Sequence, residues 1–256
     1  MGETWAEGRI ALVTGATSGF GEAMARRLIA AGARVIATGR RADRLASLAK
    51  DLATDRLLTS ELDVTDEASI AALLPCLPGE FEAIDILYNN AGLALGLSKA
   101  HEANLGDWET MIATNVTGLV RMTRAVLPGM VARNRGDVIN LSSVAASYPY
   151  PGGNVYGATK SFVRQFSLNL RSDLLGTKVR VTSIEPGMAD TEFSVVRFKG
   201  DQAAADNVYK GVHAMSADDV ALVCEGVLKL PAHINVNTLE LMPVQQAWGP
   251  FAVDRQ

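Results

Sequence analysis

The chain has 256 residues, of which 48% are hydrophobic and 20% are charged, and its formal net charge is −4. These values are typical of a globular α/β protein, and we expect one domain over residues 1–256. The acidic balance provides no positive field for nucleic acid or for an anionic membrane surface, so neither is an expected partner.

The N-terminal residues 1–8, MGETWAEG, are predicted to be a short tail before the first strand. They lack the basic and apolar regions of a signal peptide, and no apolar run approaches transmembrane length, so a cytoplasmic location is predicted. Cys76 and Cys224 are far apart and form no CxxC pair, which predicts two buried thiols in a reducing compartment. The three histidines have no metal-ligand spacing, so no metal is expected.

Short apolar strands alternate with amphipathic helices along the whole chain. This alternation predicts parallel strands joined by right-handed crossovers, with helices on both faces of the sheet. The predicted fold is α/β, a single-domain doubly wound Rossmann fold with a parallel sheet of about seven strands. The predicted strands are RIALVTG, RVIATG, LLTSELDVT, IDILYNNAG, DVINLSS, VRVTSIEPG and TLELMPV.

Two of the predicted helices carry local signals. A long helical segment over residues 107–134 contains Pro128, which predicts a bend or an interruption there because proline cannot donate a backbone hydrogen bond. Near the end of the chain, Ser216 followed three residues later by Asp219 predicts a capped helix start.

A glycine-rich turn, TGATSGFG, lies between the first strand and the first helix. Gly15 permits a tight turn, while Gly19 and Gly21 let backbone approach a pyrophosphate and let the helix pack closely on the strand. The position of this turn predicts a dinucleotide site. Its predicted contacts are Gly15, Thr17, Ser18, Gly19, Phe20 and Gly21.

The end of the second strand indicates which dinucleotide would bind. The strand ends in ATGRR, so it has no acid to hold ribose hydroxyls and places Arg40 and Arg41 where a 2′-phosphate would lie. NADP is therefore the predicted cofactor. The alternative is that both arginines form the solvated start of the next helix.

The ends of the next two strands offer further cofactor contacts. Asp63, followed by Val64, would accept from the adenine amino group, or Asp63 would cap the following helix. The segment NNAG contributes Asn90 and Gly92, which would line the adenosine ribose or would form only a turn.

Six segments then carry a resemblance to a known family. TGATSGFG, NNAG, Asn115 in ATNVTG, LSS, YGATK and EPG have the order and spacing of the short-chain dehydrogenase/reductase family, and the resemblance covers nearly the whole chain. It implies an NADP-linked oxidoreductase acting on CH–OH groups. It also implies a homotetramer built through residues 107–134, residues 159–175 and the last strand.

The resemblance implies four catalytic residues. Tyr156 is the implied acid/base, and Lys160, one helical turn away, would lower the pKa of the phenol and hold the nicotinamide ribose. Ser143, thirteen residues before the tyrosine, would orient the carbonyl, which leaves Ser142 structural. Asn115 would bend the long helix and serve a proton relay through the lysine, or it would be only a satisfied helix asparagine.

The turn after the sixth strand has implied roles at the nicotinamide. Pro186 and Gly187 would redirect the chain beneath the ring, and Thr191 would bond its carboxamide. Residues 188–215 are predicted to form a substrate lid.

Longer segments carry a narrower resemblance within the family: ATGRRADRL, NNAGLALG, DWETMIATN, TRAVLPGMV, GGNVYGATKSFVRQFSLNLRSDL and RFKGD. In these segments the chain resembles the NADP-dependent 3-hydroxy acid dehydrogenases. That group implies 3-hydroxypropionate and malonic semialdehyde, serine or allo-threonine as substrates. The neighbouring sulfoacetaldehyde reductases imply an alternative, reduction of sulfoacetaldehyde to isethionate. A non-catalytic NADP-binding redox sensor is the alternative from another class, and the presence of both Tyr156 and Lys160 argues against it.

Three residues are predicted to bind substrate in addition to Ser143 and Tyr156. Tyr148 and Asn154 would line a small pocket, and Arg197 in the lid would bind a carboxylate or sulfonate through its planar guanidinium. The alternative for Arg197 is an arginine that faces solvent or another subunit.

Overall fold

A parallel β-sheet forms the centre of the protein, as seen in a computed structural model that describes residues 4 to 248. The strand order is β3-β2-β1-β4-β5-β6-β7, and all six pairings are parallel. The predicted seven-stranded doubly wound sheet is confirmed. The strands are β1 (Ile10–Val13), β2 (Arg34–Gly39), β3 (Leu57–Glu61), β4 (Ile86–Asn89), β5 (Gly136–Leu141), β6 (Val179–Pro186) and β7 (Thr238–Leu241).

Helices connect the strands and cover the sheet on both faces. The α-helices are α1 (Gly19–Ala30), α2 (Ala42–Leu52), α3 (Glu67–Leu73), α4 (Leu105–Ile112), α5 (Leu119–Ala132), α6 (Asn154–Asp173), α7 (Glu192–Arg197), α8 (Gln202–Tyr209) and α9 (Ala217–Leu228).

Alternation along the strands produces two hydrophobic cores. In β1, Ala11 and Val13 belong to the core shared with α1, α2 and α9, while Ile10 and Leu12 belong to the core shared with α3, α5 and α6. Successive strand side chains point to opposite faces, so a strand buried on both sides must be apolar throughout. The all-apolar β1 therefore fixes the sheet between two helical layers.

The strand order reverses next to β1, which pairs with β2 on one side and β4 on the other. In open α/β sheets, the crossovers on either side of such a point diverge and leave a crevice beyond the carboxyl ends of the strands. The glycine-rich turn after β1 and the segment after β4 meet at this crevice.

The long helix predicted over residues 107–134 is irregular around Asn115, one of the two positions that the sequence indicated, and not at Pro128. Residues Ala113–Gly118 form a π-helical turn between α4 and α5, and α5 continues through Pro128 without interruption. The predicted interruption at Pro128 is wrong, because the missing donor costs only one hydrogen bond within an otherwise continuous helix. The bend in the hydrogen-bond ladder lies instead around Asn115.

The cysteine prediction is only half right. Cys224 is buried in α9, but Cys76 is exposed, because it ends the 3₁₀ turn that follows α3 on the surface. The predicted cap of α9 is confirmed: Ser216 and Asp219 form a reciprocal capping box.

The described part of the predicted N-terminal tail packs against the domain. Ala6 is fully buried, and the Trp5 indole donates to the Glu225 carboxylate at 3.0 Å. No helix within residues 4–248 is long and apolar enough to cross a membrane. The same residues include no cluster of three or more metal-ligating side chains.

A buried cluster of ion pairs lies at the amino-terminal ends of strands β1, β5 and β6. The Asp137 carboxylate, whose side chain is 8% exposed, accepts from both Arg9 and Arg180. Replacing Asp137 with alanine leaves two guanidinium groups without their shared partner, and we expect a loss of about 3–5 kcal/mol in the free energy of unfolding. That loss corresponds to a fall of roughly 10 °C in Tm, measured by differential scanning calorimetry.

The matched control is Asp51→Ala, which removes an exposed ion pair to Arg26. It should cost less than about 1 kcal/mol, because water screens such pairs. Equal melting temperatures for the Asp137 and Asp51 variants would contradict the structural role of the buried cluster.

Candidate active site

The glycine-rich turn after β1 lies so close to neighbouring atoms that Gly15 and Gly21 have no room for a side chain. Gly15 has a φ of 66°, and a Cβ there would lie 2.9 Å from the Asn90 amide nitrogen. A Cβ on Gly21 would lie 2.4 Å from the Gly15 carbonyl oxygen. The turn therefore exposes backbone toward the crevice, and the first turn of α1 presents its amides there.

Asn90, just after β4, holds this turn in place. Its side-chain amide donates to the carbonyl oxygens of Thr14 and Gly15, each at 3.0 Å. The Thr14 hydroxyl oxygen in turn accepts from the backbone amides of Asn90 and Ala91, also at 3.0 Å. Asn90 thus fixes the conformation of the glycine-rich turn, and its contact with a ribose stays a prediction.

A cavity of about 320 Å³ extends from this turn to the start of α6. It brings together most of the residues that the sequence placed at the cofactor, and it also includes several that the sequence did not indicate, among them Ser142, Glu192, Phe193 and Val196. The predicted residues lining it are Gly15, Thr17, Ser18, Gly19, Phe20, Arg40, Arg41, Asp63, Val64, Asn90, Gly92, Tyr156, Lys160 and Thr191.

The two arginines after β2 have different surroundings. Arg41 donates to the hydroxyls of Thr17 and Ser18 and pairs with the Glu192 carboxylate. Arg40 is exposed and makes no hydrogen bond within the described residues. The free guanidinium of the pair at the cavity is therefore that of Arg40.

Asp63 does not cap the next helix, so that alternative is wrong. The cap of α3 is Asp66, which accepts from the Ala68 amide. One oxygen of Asp63 accepts from both the amide and the hydroxyl of Thr65, and these bonds help to lower the pKa of the carboxyl against the opposing effect of burial. The carboxylate lines the cavity, where its adenine contact stays a prediction.

Tyr156 lies near the start of α6 with only 8% of its surface exposed. Burial raises the pKa of the phenol to about 12, although the nearby Arg197 guanidinium and a hydrogen bond with Ser143 act in the opposite direction. The net lowering predicted from Lys160 is therefore wrong. Desolvation of the phenolate outweighs the surrounding positive charge.

Lys160 follows one turn later on the same helix face. Its ammonium donates to the Leu141 carbonyl oxygen at 2.8 Å and lies 5.8 Å from the centroid of the Tyr156 ring. Burial lowers the pKa of this ammonium to about 8. The bond to the end of β5 fixes the ammonium at the floor of the cavity.

The adjacent serines have different hydrogen-bond partners. The Ser142 hydroxyl donates to the Lys160 carbonyl oxygen at 2.8 Å, which joins β5 to α6. The Ser143 hydroxyl accepts from the Ala145 amide at 3.1 Å and contacts the Pro186 carbonyl oxygen at 3.4 Å. The Ser143 hydroxyl also lies within reach of the Tyr156 phenol, whose pKa it acts to lower.

Asn115 occupies the π-helical turn between α4 and α5 and is 1% exposed. Its side chain exchanges hydrogen bonds with both backbone groups of Leu93, at 2.8 and 2.9 Å, and donates to the Thr159 hydroxyl at 3.1 Å. A single-turn π-bulge often marks a functional site. Here it places the Asn115 side-chain amide, which makes three hydrogen bonds, beside Thr159, the residue that precedes Lys160.

Beyond β6 the chain turns back over the cavity. A Cβ on Gly187 would lie 2.3 Å from the Gln246 side-chain oxygen, which itself accepts from the Met188 amide at 2.7 Å. Thr191 caps α7 by accepting from the Phe193 amide at 3.3 Å, and it lines the cavity. Neither Pro186 nor Gly187 is among the residues lining the cavity.

Helix α7 places Arg197 against the Tyr156 ring. The guanidinium carbon lies 5.1 Å from the ring centroid of Tyr156 and 5.1 Å from that of Phe193. Its terminal nitrogen donates to the Tyr150 hydroxyl at 3.2 Å. The Arg197 Nε is buried and has no hydrogen-bond partner in the part of the chain that the structure describes.

The other two predicted substrate residues are engaged elsewhere. The Tyr148 hydroxyl donates to Glu240 on β7 at 3.2 Å, and its ring lies against Trp248. Asn154 donates to the Ser98 carbonyl oxygen at 3.2 Å. Neither side chain is among those lining the cavity.

Comparison with known proteins agrees with this arrangement. The sequence profile described as short chain dehydrogenase matches residues 9–202. The chain belongs to the short-chain dehydrogenase family. The six segments that carried the resemblance lie within the matched residues.

Two curated relatives are similar over almost their entire length. The NADP-dependent 3-hydroxy acid dehydrogenase YdfG of Escherichia coli (strain K12) is 59% identical over 248 residues, which are 96% of this chain and 100% of the relative. The serine 3-dehydrogenase of Agrobacterium fabrum is 56% identical over 245 residues, which are 96% and 98% of the two chains.

A solved short-chain dehydrogenase has nearly the same fold. It is the closed form of a serine dehydrogenase complexed with NADP+, with a TM-score of 0.95 and 59% identity, covering 96% of this chain and 100% of that one. A serine dehydrogenase from Escherichia coli gives a TM-score of 0.83 at 55% identity, covering 93% and 100%.

Proposed function

We propose that this protein is an NADP-dependent 3-hydroxy acid dehydrogenase that interconverts a short 3-hydroxy acid and the corresponding aldehyde or keto acid. The observation that carries the proposal is the buried Tyr156 phenol, held between Lys160 on its own helix and Arg197 on the lid. The relatives described as 3-hydroxy acid and serine dehydrogenases support the substrate class.

The cavity fits a dinucleotide on its own geometry. The glycine cradle leaves no room for side chains beside the exposed backbone, and the start of α1 suits a pyrophosphate. Arg40 is free to bind a 2′-phosphate, and the Lys160 ammonium retains donors for a ribose at the other end. When bound, NADP accepts the hydride from the alcohol, and NADPH returns it to the carbonyl.

Tyr156 supplies and removes the proton. At neutral pH a phenol with a pKa of about 12 is protonated, so it can donate to the oxygen of a carbonyl that is being reduced. Ser143 would orient that oxygen and stabilise its developing charge. In the oxidative direction the same phenol oxygen must accept the proton, and Lys160 and Arg197 favour the required phenolate.

Lys160 and Asn115 support the proposed proton donor, Tyr156, from the side away from the substrate. The pKa of about 8 for Lys160 allows its ammonium to exchange a proton near neutral pH. Asn115 fixes the loop after β4 and contacts Thr159 beside the lysine. We assign Asn115 to positioning this end of the relay.

Arg197 is the proposed anchor for the substrate carboxylate. Its buried Nε lacks a partner, and a guanidinium binds a carboxylate through paired hydrogen bonds. A short acid held there would place its reacting carbon next to the Tyr156 hydroxyl. Arg197 does not line the cavity either, but its guanidinium carbon lies 5.1 Å from the ring centroid of Tyr156. Tyr148 and Asn154 bond instead to Glu240 and Ser98, which favours Arg197 as the main polar contact.

Replacing Arg40 with alanine should reduce the preference for NADPH. A charged hydrogen bond contributes about 1.5–3 kcal/mol, so kcat/KM for NADPH should fall by about 10- to 100-fold while that for NADH changes little. Steady-state kinetics with both cofactors measures the ratio. An unchanged ratio of the two values would remove Arg40 from the phosphate site.

The proposed activity is tested by following NADP+ reduction at 340 nm with 3-hydroxypropionate and with serine. The matched control substrate is 1-propanol, which has the same chain length and no carboxylate. We expect turnover of at least one hydroxy acid far above that of 1-propanol. Turnover of neither acid would contradict the proposed substrate class.

The predicted homotetramer and cytoplasmic location belong to the same proposal. Ile112 of α4, Val131 of α5 and Phe162 of α6 are exposed apolar side chains on the helical segments that would meet in such an assembly. Their exposure supports burial against further copies of the chain.

A further inference from the structure

We propose that Glu192 is a latch residue, which holds the lid helix α7 closed over the cofactor channel by its ion pairs with Arg41 and Arg44. This inference rests on the proposed cofactor site. It adds a positioning role for the Glu192 carboxylate. It also means that Arg41 holds the lid and does not bind the 2′-phosphate.

The latch consists of one carboxylate and two guanidinium groups. One Glu192 oxygen lies 2.8 Å from an Arg41 terminal nitrogen, and the other lies 3.1 Å from an Arg44 terminal nitrogen. These pairs join the first residue of α7 to the start of α2, across about 150 residues of sequence. The Arg41 bond also lowers the pKa of the Glu192 carboxyl, which keeps it charged at neutral pH.

Arg41 ties the latch to the cofactor-binding turn. Its Nε and one terminal nitrogen donate to the Thr17 hydroxyl at 3.1 and 3.0 Å, and the same terminal nitrogen donates to Ser18 at 2.7 Å. The remaining terminal nitrogen donates to Glu192. Four of the five N–H groups of Arg41 therefore have partners, and a 2′-phosphate could take two of them only by displacing one of these bonds.

The residue before the latch lies close to the same turn. A Cβ built on Gly19 would be in van der Waals contact with the Thr191 Cβ, at 3.6 Å, so Thr191 lies about one methyl group away from the glycine-rich backbone. Gly19, Thr191 and Glu192 all line the cavity. A dinucleotide enclosed there would leave only when the segment containing Thr191 and Glu192 lifts away from the turn.

Arg40 takes no part in the latch. Its side chain makes no hydrogen bond among residues 4–248, and its charge helps to lower the pKa of the Asp63 carboxyl. The two neighbouring arginines thus have different roles. Arg40 would bind the 2′-phosphate of NADP, and Arg41 holds the lid helix through Glu192. The latch should consequently retain NADH as well as NADPH.

The expected effect is on the rate of cofactor release. The latch side chains are between 39% and 50% exposed, so each pair is partly screened by water. Two such pairs should slow release by about three- to tenfold. The test mixes each protein, saturated with NADPH or NADH, with excess NADP+ in a stopped-flow instrument, and follows the decay of nicotinamide fluorescence.

Four variants define the result. Glu192→Gln should release both cofactors about three- to tenfold faster than the wild type. Arg44→Ala, which loses only one pair, should show a smaller increase, and the double variant should match Glu192→Gln alone. Glu67→Gln removes the exposed pair with Arg121 outside the cavity, so it should release both cofactors at the wild-type rate.

Two outcomes would overturn the latch. One is release from Glu192→Gln at the wild-type rate, and the other is an effect on NADPH that is absent with NADH, which would place Glu192 at the phosphate. Failure of the wild type to bind NADPH at all would instead contradict the proposed function. Equal melting temperatures of the variants and the wild type would exclude a general loss of structure as the cause of faster release.

Discussion

Tyr156→Phe is expected to lower kcat for reduction of malonic semialdehyde by at least about 10³-fold, because it removes the hydroxyl that we assign to protonating the carbonyl oxygen. The change removes one hydroxyl and keeps the ring, so the contacts with Phe193 and Arg197 persist. Binding of NADPH, measured by fluorescence titration, should be nearly unchanged.

Tyr148→Phe is the matched control for this prediction. It also removes a phenolic hydroxyl, but one that donates to Glu240 and does not line the cavity. We expect a kcat within about twofold of the wild type, since a lost hydrogen bond of this kind acts on stability rather than on proton transfer. Near-normal turnover by Tyr156→Phe would contradict the assignment of the acid.

Arg197→Ala is expected to lower kcat/KM for malonic semialdehyde by about 100-fold, as the carboxylate loses a charged, paired hydrogen bond. For propanal, which has no carboxylate, the loss should be much smaller. Some loss should remain for both, because the Arg197 guanidinium also lowers the pKa of Tyr156 against the effect of burial. The anchor is measured by the difference between the two substrates.

Lys199→Ala provides the control cation on the same lid. The Lys199 ammonium lies 2.8 Å from the Asp107 carboxylate, so its charge is already paired at the protein surface. This variant should treat both aldehydes as the wild type does. If Arg197→Ala lowers kcat/KM equally for malonic semialdehyde and propanal, Arg197 acts only through the pKa of Tyr156 and does not bind the carboxylate.

The sequence predicted the fold and the cofactor end well because their requirements are local. Gly15 is favoured by its φ of 66° and Gly21 by the close approach of the Gly15 carbonyl oxygen, and β1 is apolar throughout because it is buried on both faces. Such constraints act on neighbouring residues, so they can be read without knowing the tertiary structure.

The errors arise where distant groups decide the outcome. The pKa of Tyr156 depends on how completely it is buried, which the spacing to Lys160 cannot indicate. Glu192 carried no sequence signal, since its partners lie about 150 residues earlier in the chain. Arg40 and Arg41 are adjacent, yet only the folded chain shows that one is committed and the other is free.

The most direct test of the account is NADPH oxidation at 340 nm by the wild-type protein with malonic semialdehyde, sulfoacetaldehyde and propanal at matched concentrations. We predict the highest kcat/KM for malonic semialdehyde and a value at least tenfold lower for propanal, because Arg197 binds the carboxylate beside Tyr156. A higher value for sulfoacetaldehyde would make the physiological substrate a sulfonate. Equal values for all three aldehydes would contradict the anion anchor and the proposed substrate class.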